Sequence, residues 1–160
     1  MSVVKKCVFA GSFDPPTLGH RAVVDEALKI FDEVLVAVLV NPQKQPFFTI
    51  EEKLAMLALD YGDNPRVKIV TFTGTVADLM QKENACAYVR GLRNGTDFDF
   101  ENANFYASRK LDKNLTAVYV PCPQELLHVS SSMVRNSLTF GTSLDEYVTD
   151  GVKAYIQERK

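Results

Sequence analysis

Apolar runs alternate with amphipathic stretches along the chain. The unbroken apolar run at residues 34–40 is typical of a parallel strand that is covered on both faces, because such a strand has no side that needs polar residues. Stretches with apolar side chains every three or four residues indicate helices instead. Val23, Val24 and Ala27 form a stripe of this kind.

The pattern predicts five strands and six helices. The strands cover residues 3–10, 34–40, 67–72, 87–89 and 116–120. The helices cover residues 18–31, 50–62, 76–83 and 96–111, a segment that begins in the serine run 130–132, and residues 152–158. Thr49 and Glu52 form a capping box at the start of the second helix.

Strands that alternate with helices predict an α/β fold, in which helices cover both faces of a parallel sheet. Right-handed crossovers place every strand-to-helix loop at the carboxyl edge of the sheet, where ligands of such sheets bind. We found no linker or internal repeat, so one domain over residues 1–160 is expected.

Composition narrows the function classes. The 160 residues are 46% hydrophobic, and the net charge of −2 gives no basic surplus for nucleic acid or a membrane surface. No apolar segment reaches the roughly 20 residues that span a bilayer, and no signal peptide is expected. Cys7, Cys86 and Cys122 are widely spaced, which indicates reduced thiols in a cytoplasmic protein. No residues have metal-ligand spacing, so no metal site built by the protein is expected.

Residues 11–20, Gly-Ser-Phe-Asp-Pro-Pro-Thr-Leu-Gly-His, carry the strongest chemical signal. Thr17 is a good helix N-cap, which places His20 in the first helical turn. A helix start offers unpaired N–H groups and the positive end of the helix dipole, and both favour a phosphate. An ordinary strand-to-helix connection with a surface histidine would give the same short pattern.

The other loops at this edge add donors and cations. Lys44 follows the second strand, residues 74–76 follow the third, residues 90–93 follow the fourth, and residues 126–132 follow the fifth. A sheet does not need these groups for its geometry, so they favour a triphosphate together with a second phosphorylated substrate. Walker A and G-x-G-x-x-G motifs are absent from the sequence, as is a nucleophile elbow. Phosphoryl or nucleotidyl transfer by positioning remains.

The segment Gly11-Ser12-Phe13-Asp14-Pro15, together with Thr17-Leu18-Gly19-His20, resembles the [TH]-x-G-H signature of the nucleotidyltransferase superfamily. Further segments follow in matching order at Lys44 and at residues 48–52, 90–93, 97–101 and 130–135. Together they resemble the bacterial phosphopantetheine adenylyltransferase family over nearly the whole chain. This resemblance implies a single nucleotidyltransferase domain with a Rossmann-like five-stranded parallel sheet of order 3-2-1-4-5 and helices on both faces.

The resemblance also implies an activity. AMP would pass from ATP to 4'-phosphopantetheine with Mg²⁺ as cofactor, giving dephospho-coenzyme A and pyrophosphate in coenzyme A biosynthesis. It further implies a cytoplasmic homohexamer with coenzyme A as a candidate feedback inhibitor. No nucleic acid or membrane partner is expected.

The resemblance assigns roles residue by residue. His20 would be the catalytic residue, donating a hydrogen bond to phosphate oxygen in the transition state. No general base is required, because the attacking phosphate is already an anion. The phosphopantetheine-binding positions would be Ser12, Lys44, Val76 and Arg90. The ATP-binding positions would be Ser12, Phe13, His20, Gly91, Leu92, Arg93, Glu101, Leu126, Leu127, His128, Val129, Ser130, Ser131 and Ser132.

Simpler interpretations stay open for several of these residues. Lys44 could be a solvated loop lysine, and Arg90 and Arg93 could pair with nearby carboxylates on the surface. Val76 is smaller than the residue usual in the family, and the trio at 126–128 is less aromatic or polar. Two other functions also stay open: a nicotinamide-mononucleotide adenylyltransferase, and a non-catalytic nucleotide-binding module.

Overall fold

The computed structural model describes residues 2–159. Within this range the strands are β1 Lys6–Gly11, β2 Glu33–Leu39, β3 Val67–Phe72, β4 Ala87–Leu92 and β5 Ala117–Pro121. The α-helices are α1 Leu18–Ala27, α2 Ile50–Tyr61, α3 Val76–Glu83, α4 Gly95–Arg109, α5 Ser131–Phe140 and α6 Asp150–Glu158. A single 3₁₀ turn at Gln124–Leu126 precedes α5. No helix in this range is long and apolar enough to cross a membrane.

The strands form one parallel sheet in the order β3-β2-β1-β4-β5, which confirms the predicted architecture. β1 lies in the centre, pairing Cys7 with Val34 of β2 on one side and with Ala87 of β4 on the other. The chain runs outward to one edge through β2 and β3, then returns to fill the other side. Strand order therefore reverses between β1 and β4, where a crevice opens at the carboxyl ends of such strands.

Alternate side chains of the central strands fill separate cores on the two faces of the sheet. Cys7 and Phe9 pack with Val23 and Leu57 on the face covered by α1 and α2. Val8 and Ala10 point to the opposite face, where Leu79, Met80 and Leu115 cover them. Because both faces are covered, β1 and β2 have no solvent side, which explains their continuous apolar sequence.

A third apolar cluster joins the second half of the chain to α2. Phe48 and Met56 lie fully buried there against Val134 of α5 and Val152 of α6. This cluster brings the start of α5 back toward the central strands. The prediction of one domain over residues 1–160 stays a prediction.

Threonine, serine and asparagine side chains begin all six α-helices. Thr49 and Glu52 exchange hydrogen bonds as the capping box predicted for α2. Asn94 caps α4 and Thr149 caps α6, so these helices begin one and two residues earlier than expected. A side-chain oxygen at the cap satisfies an N–H group that the helix itself leaves unpaired.

Other boundaries shift by one to a few residues, and three of them show that hydrogen-bond partners, rather than side-chain type, set the ends of an element. β1 begins at Lys6, and Val3 and Val4 before it are exposed. α1 ends at Ala27, since the N–H of Ile30 bonds three residues back in a tightened last turn. β4 extends to Leu92 because β5 continues beside it.

Gly91 in β4 provides a test of the packing between the sheet and α1. A Cβ at Gly91 would lie 2.5 Å from Cγ2 of Val23, a buried β-branched side chain with little rotamer freedom. We expect Gly91→Ala to lower the free energy of unfolding by about 1–3 kcal/mol, as over-packing does. Urea denaturation measures this.

Gly95→Ala is the matched control, since a Cβ at Gly95 would have no atom within 4 Å. Its stability should equal that of the wild type or exceed it by up to about 1 kcal/mol, because alanine favours the helix. Equal unfolding midpoints for the Gly91 and Gly95 variants would contradict the packing constraint.

Candidate active site

A cavity of about 400 Å³ opens at the carboxyl ends of β1 and β4, where the strand order reverses. This volume lies in the range of small-molecule sites. Its walls are formed by the β1–α1 loop, the start of α1, the end of β4, α4 and the start of α5. The following predicted site residues line it: Ser12, Phe13, His20, Arg90, Gly91, Arg93, Glu101, Val129, Ser130, Ser131 and Ser132.

His20 is held by a capping box with Thr17. Oγ1 of Thr17 accepts the backbone N–H of His20, and Nδ1 of His20 accepts the backbone N–H of Thr17 at 3.0 Å. Because Nδ1 is the acceptor, the proton of the neutral ring is assigned to Nε2. Within residues 2–159, Nε2 has no hydrogen-bond partner in the protein. His20 therefore keeps one N–H donor for a ligand in the cavity.

Two aromatic rings enclose the imidazole of His20. The Phe13 ring centroid lies 4.7 Å from it and the Phe9 centroid lies 6.0 Å from it. Phe13 reaches this position with a φ of +47°, a left-handed conformation that is uncommon for a bulky residue. Burial, followed by the positive charges of Arg90 and Arg93, lowers the pKa of His20 from 6.5 to about 3. The ring is therefore a neutral donor.

Arg90 connects β4 to the centre of the sheet and to α4. Its Nη2 pairs with Oε1 of Glu101 at 2.8 Å, and its Nη1 donates to the carbonyl of Ala10. Glu101 is the single buried residue of α4, so this ion pair holds the helix against the cavity. Nε of Arg90 is buried without a partner among residues 2–159. The sequence left open that Arg90 pairs with a nearby carboxylate, and in the structure it pairs with Glu101.

Arg93 also pairs with a carboxylate. Its Nε lies 3.0 Å from Oδ2 of Asp97, and its backbone N–H donates to the same oxygen. These bonds lower the pKa of Asp97 against the opposing effect of burial, which is the largest single influence on it. Nη1 of Arg93 also donates to the carbonyl of Val129 at 3.3 Å. The arginine thereby joins α4 to the segment that leads into α5.

The serine run places the start of α5 at the cavity. Ser130 is the N-cap and accepts the N–H of Met133, while Ser131 donates to the carbonyl of Pro15 at 2.8 Å. Helix starts of both α1 and α5 thus lie at one cavity. Their unpaired N–H groups and dipoles favour an anion there.

The charges that line the cavity are balanced. Three guanidinium groups stand there, those of Arg90, Arg93 and Arg135, and so do three carboxylates. The carboxylates belong to Asp14, Asp97 and Glu101. A bound polyphosphate would therefore depend on oriented donors and on cations brought from elsewhere, rather than on a cationic surplus of the cavity wall.

Several predicted site residues lie outside the cavity lining. They are Lys44, Val76, Leu92, Leu126, Leu127 and His128. Lys44 lies in an exposed turn between β2 and α2, where its N–H bonds to the carbonyl of Asn41. His128 packs against Tyr147 and lies 3.7 Å from a carboxylate oxygen of Glu146.

Other cavity residues were missing from the predicted site. Asp14 and Arg135 stood within the matched segments, but their hydrogen-bond partners are distant in sequence. Asp97 was predicted only as a candidate surface partner of an arginine, and it pairs with Arg93 four residues away. Cys122 lines the wall beside β5, and burial raises its pKa. No sequence signal pointed to Cys122.

Known proteins resemble this chain in sequence and in fold. A family profile described as cytidylyltransferase-like matches residues 8–137. The phosphopantetheine adenylyltransferase of Flavobacterium johnsoniae is 37% identical over 150 residues, which cover 94% of this chain and 98% of that protein. The enzyme of the same name from Clostridium kluyveri is 36% identical and covers 93% and 91%. That of Caldanaerobacter subterraneus is 33% identical and covers 98% of both chains.

The fold also has a solved counterpart. A structure assigned as a nicotinate-nucleotide adenylyltransferase from Vibrio parahaemolyticus superimposes with a TM-score of 0.70 and covers 97% of this chain and 93% of its own. The two sequences are only 23% identical, so this likeness concerns the fold alone.

The neutral state of His20 can be measured by NMR titration. We expect its ring signals to show no protonation step between about pH 8 and about pH 5, because burial disfavours the imidazolium. The chain has two histidines, so a His128→Gln variant assigns the remaining signals to His20. An NMR midpoint near pH 6.5 would instead show a solvated ring.

The same burial makes the stability of the fold depend on pH. As pH falls below 6.5 the unfolded chain binds a proton at His20 before the folded chain does, so the contribution of His20 to the free energy of unfolding is lost progressively toward pH 3.

Proposed function

Because the chain belongs to the cytidylyltransferase-like family, and within it to the phosphopantetheine adenylyltransferases, we propose that it transfers AMP from ATP to 4'-phosphopantetheine. The products are dephospho-coenzyme A and pyrophosphate. The observation that carries the assignment to this cavity is the Thr17–His20 capping box, which leaves one N–H donor unpaired within residues 2–159 on a side chain that lines the cavity.

The chemistry needs little from the protein beyond orientation and charge stabilisation. A phosphate oxygen of 4'-phosphopantetheine attacks the α-phosphorus of ATP, and the bond from that phosphorus to the bridging oxygen breaks as pyrophosphate leaves. The attacking oxygen is already anionic, so no residue has to remove a proton. Enzymes of phosphoryl transfer work mainly through such positioning.

We assign to His20 the donor for the charge that develops on the transferring phosphate. A neutral ring is suited to this role because it needs no change of protonation during turnover. The aromatic enclosure and the Thr17 hydrogen bond hold the ring before substrate arrives, so no reorganisation is required at the moment of reaction. Arg93 and the serines at the start of α5 would bind the nucleotide phosphates.

The phosphopantetheine side of the site would include Ser12 and Arg90, both in the lining. Lys44 would approach from the β2–α2 turn, and Val76 from the start of α3. The ammonium group of Lys44 would reach the substrate phosphate as a point charge. These assignments rest on the match between these positions and the motifs of the family.

We propose that Mg²⁺ enters as a complex with ATP. Residues 2–159 contain no group of three or more His, Cys, Asp or Glu side chains placed to hold a metal ion. Mg²⁺ commonly keeps several waters and binds substrate phosphates rather than a cage of protein ligands. The balanced charge of the cavity wall fits a substrate that brings its own cation.

An assay of pyrophosphate release with each candidate acceptor in turn tests the proposed reaction. With ATP present, we expect pyrophosphate release with 4'-phosphopantetheine and only background release with nicotinamide mononucleotide. His20→Ala should lower kcat by about 10²–10³-fold while ATP affinity stays within a few-fold, since one transition-state donor is lost.

Asp25→Ala on the exposed side of α1 is the control, since Asp25 lies away from the cavity. Circular dichroism of the His20 variant separates loss of the donor from loss of the helix cap. Full turnover in His20→Ala would remove the catalytic role. Turnover with the mononucleotide instead would favour the alternative adenylyltransferase.

We also propose that the chain forms a homohexamer in the cytoplasm and that coenzyme A inhibits it by feedback. Exposed aromatic side chains on α4 support an assembly: Phe98, Phe100 and Tyr106 are 42%, 66% and 59% exposed. Aromatic residues are enriched at subunit interfaces.

Native mass spectrometry tests the assembly. We expect the mass of six chains for the wild type and smaller species for Phe100→Asp, because a buried charge without a partner opposes association. Lys110→Asp is a control that introduces an aspartate at the exposed C-cap of the same helix without removing an aromatic ring. A monomeric wild type would overturn the hexamer and leave the transfer reaction untouched.

A further inference from the structure

The loop between β2 and α2 has little internal support. Residues 41–47 are all exposed, and Phe48 after them is fully buried. At its first end the loop is held by the β3 strand, where the N–H of Val40 bonds to the carbonyl of Phe72. What holds its second end determines where the exposed turn with Lys44 can lie.

Asp14 holds the two backbone N–H groups at that second end, while Nη2 of Arg159 donates to the carbonyl of Phe47 at 3.3 Å. Its Oδ2 accepts the N–H of Phe47 and its Oδ1 accepts the N–H of Phe48, each at 2.9 Å. Nζ of Lys53 lies 3.8 Å from Oδ1, and the Lys53 side chain is only 3% exposed. We name this set the Asp14 anchor: the Asp14 carboxylate, the Phe47 and Phe48 N–H groups, and the Lys53 ammonium.

The anchor gives a structural reason for the Asp14 carboxylate, whose negative charge would otherwise disfavour phosphate binding in the cavity. Asp14 lines a cavity that binds phosphates in the proposed reaction, and a like charge there repels the substrates. Both of its oxygens, however, are occupied by donors of the β2–α2 loop. Hydrogen bonds to a charged acceptor are about twice as strong as neutral ones, so the loop gains a firm attachment.

The backbone of Asp14 is fixed from another direction. Nη1 of Arg135 donates to the Asp14 carbonyl at 2.7 Å, and Nη2 of the same guanidinium donates to Oγ of Ser132 at 3.0 Å. Asp14 thus joins the β1–α1 loop, the β2–α2 loop and the start of α5. These are three of the segments to which the proposed function assigns substrate contacts.

We infer that Asp14 is a positioning residue for the phosphopantetheine phosphate, because its carboxylate fixes the loop that carries Lys44. Lys44 is three residues from Phe47, a backbone span of at most about 10 Å. Fixing Phe47 therefore confines the Lys44 backbone to within about 10 Å of Phe47, whose N–H bonds to the cavity-lining Asp14. This inference rests on the proposed function for the identity of the substrate, and on the contacts alone for the anchor.

Hydrogen–deuterium exchange tests the anchor without any substrate. In Asp14→Asn, an amide replaces the carboxylate, so one N–H of the loop loses its acceptor and the Lys53 charge loses its partner. A peptide spanning residues 45–50 should exchange at least about tenfold faster than in the wild type. Asp63→Asn removes the same charge at an exposed turn and should leave that peptide unchanged.

Kinetics test the positioning role. We expect Asp14→Asn to raise the KM for 4'-phosphopantetheine about tenfold while the KM for ATP stays within about twofold. A double-mutant cycle with Lys44→Ala separates positioning from general destabilisation. Lys44→Ala should weaken phosphopantetheine binding strongly in the wild type and only slightly in Asp14→Asn, because the lysine is already displaced there.

Each outcome decides one claim. Unchanged exchange of the 45–50 peptide overturns the anchor. Faster exchange with an unchanged phosphopantetheine KM, or with additive effects of the two substitutions, overturns the positioning role and leaves Asp14 a structural residue. A wild type without phosphopantetheine turnover refutes the proposed function instead, and the exchange result still decides the anchor.

Discussion

The reciprocal hydrogen bonds between Thr17 and His20 link the folding of α1 to the chemistry of the site. A capping box usually has glutamate or glutamine at the third helical position, as Thr49 and Glu52 show at α2. Histidine supplies the same acceptor through Nδ1 and keeps Nε2–H for another partner, which a carboxylate cannot do. The cap itself contributes on the order of 1 kcal/mol, whereas a donor aimed at a transition state contributes about 3–4 kcal/mol. A local folding device thereby sets both the tautomer and the orientation of the imidazole to which we assign the catalytic role.

The cavity is organised by paired charges rather than by a cationic surface. Arg90 with Glu101 and Arg93 with Asp97 hold α4 and β4 in place, and each arginine also bonds to a carbonyl of another segment. Carboxylates at an anion site weaken the attraction for phosphate, but they fix the arginines before the substrate binds, which lowers the ordering cost of binding. The two helix starts and the serine hydroxyls supply donors whose direction the backbone determines. The proposed binding of phosphate therefore relies on oriented donors, because the cavity wall within residues 2–159 carries no surplus of positive charge.

The fold of this chain is shared more widely than its loop sequences are. A chain 23% identical shares the sheet and helices, because the alternation of apolar strands and amphipathic helices tolerates wide substitution. The relatives named phosphopantetheine adenylyltransferase share more than 30% identity over nearly the whole length. Substrate choice depends on the loops at the carboxyl edge, which the same sheet can carry in many versions. The β2–α2 loop illustrates this, because its position depends on a few contacts made by Asp14.

Local patterns were sufficient for the elements and for the caps at Thr17 and Thr49, because each depends on residues near one another or on the periodicity of burial. The strand order was expected only from the resemblance to the family. The signature around His20 likewise lies within one turn of chain. The end of β4 at Leu92 could not be read in this way, since β5 provides its partners. Nor could the choice of Glu101 for Arg90, the position of His128 outside the cavity, or the Asp14 contacts to Phe47 and Phe48. These depend on which side chains meet after distant segments pack, and a linear pattern carries no information about such distances.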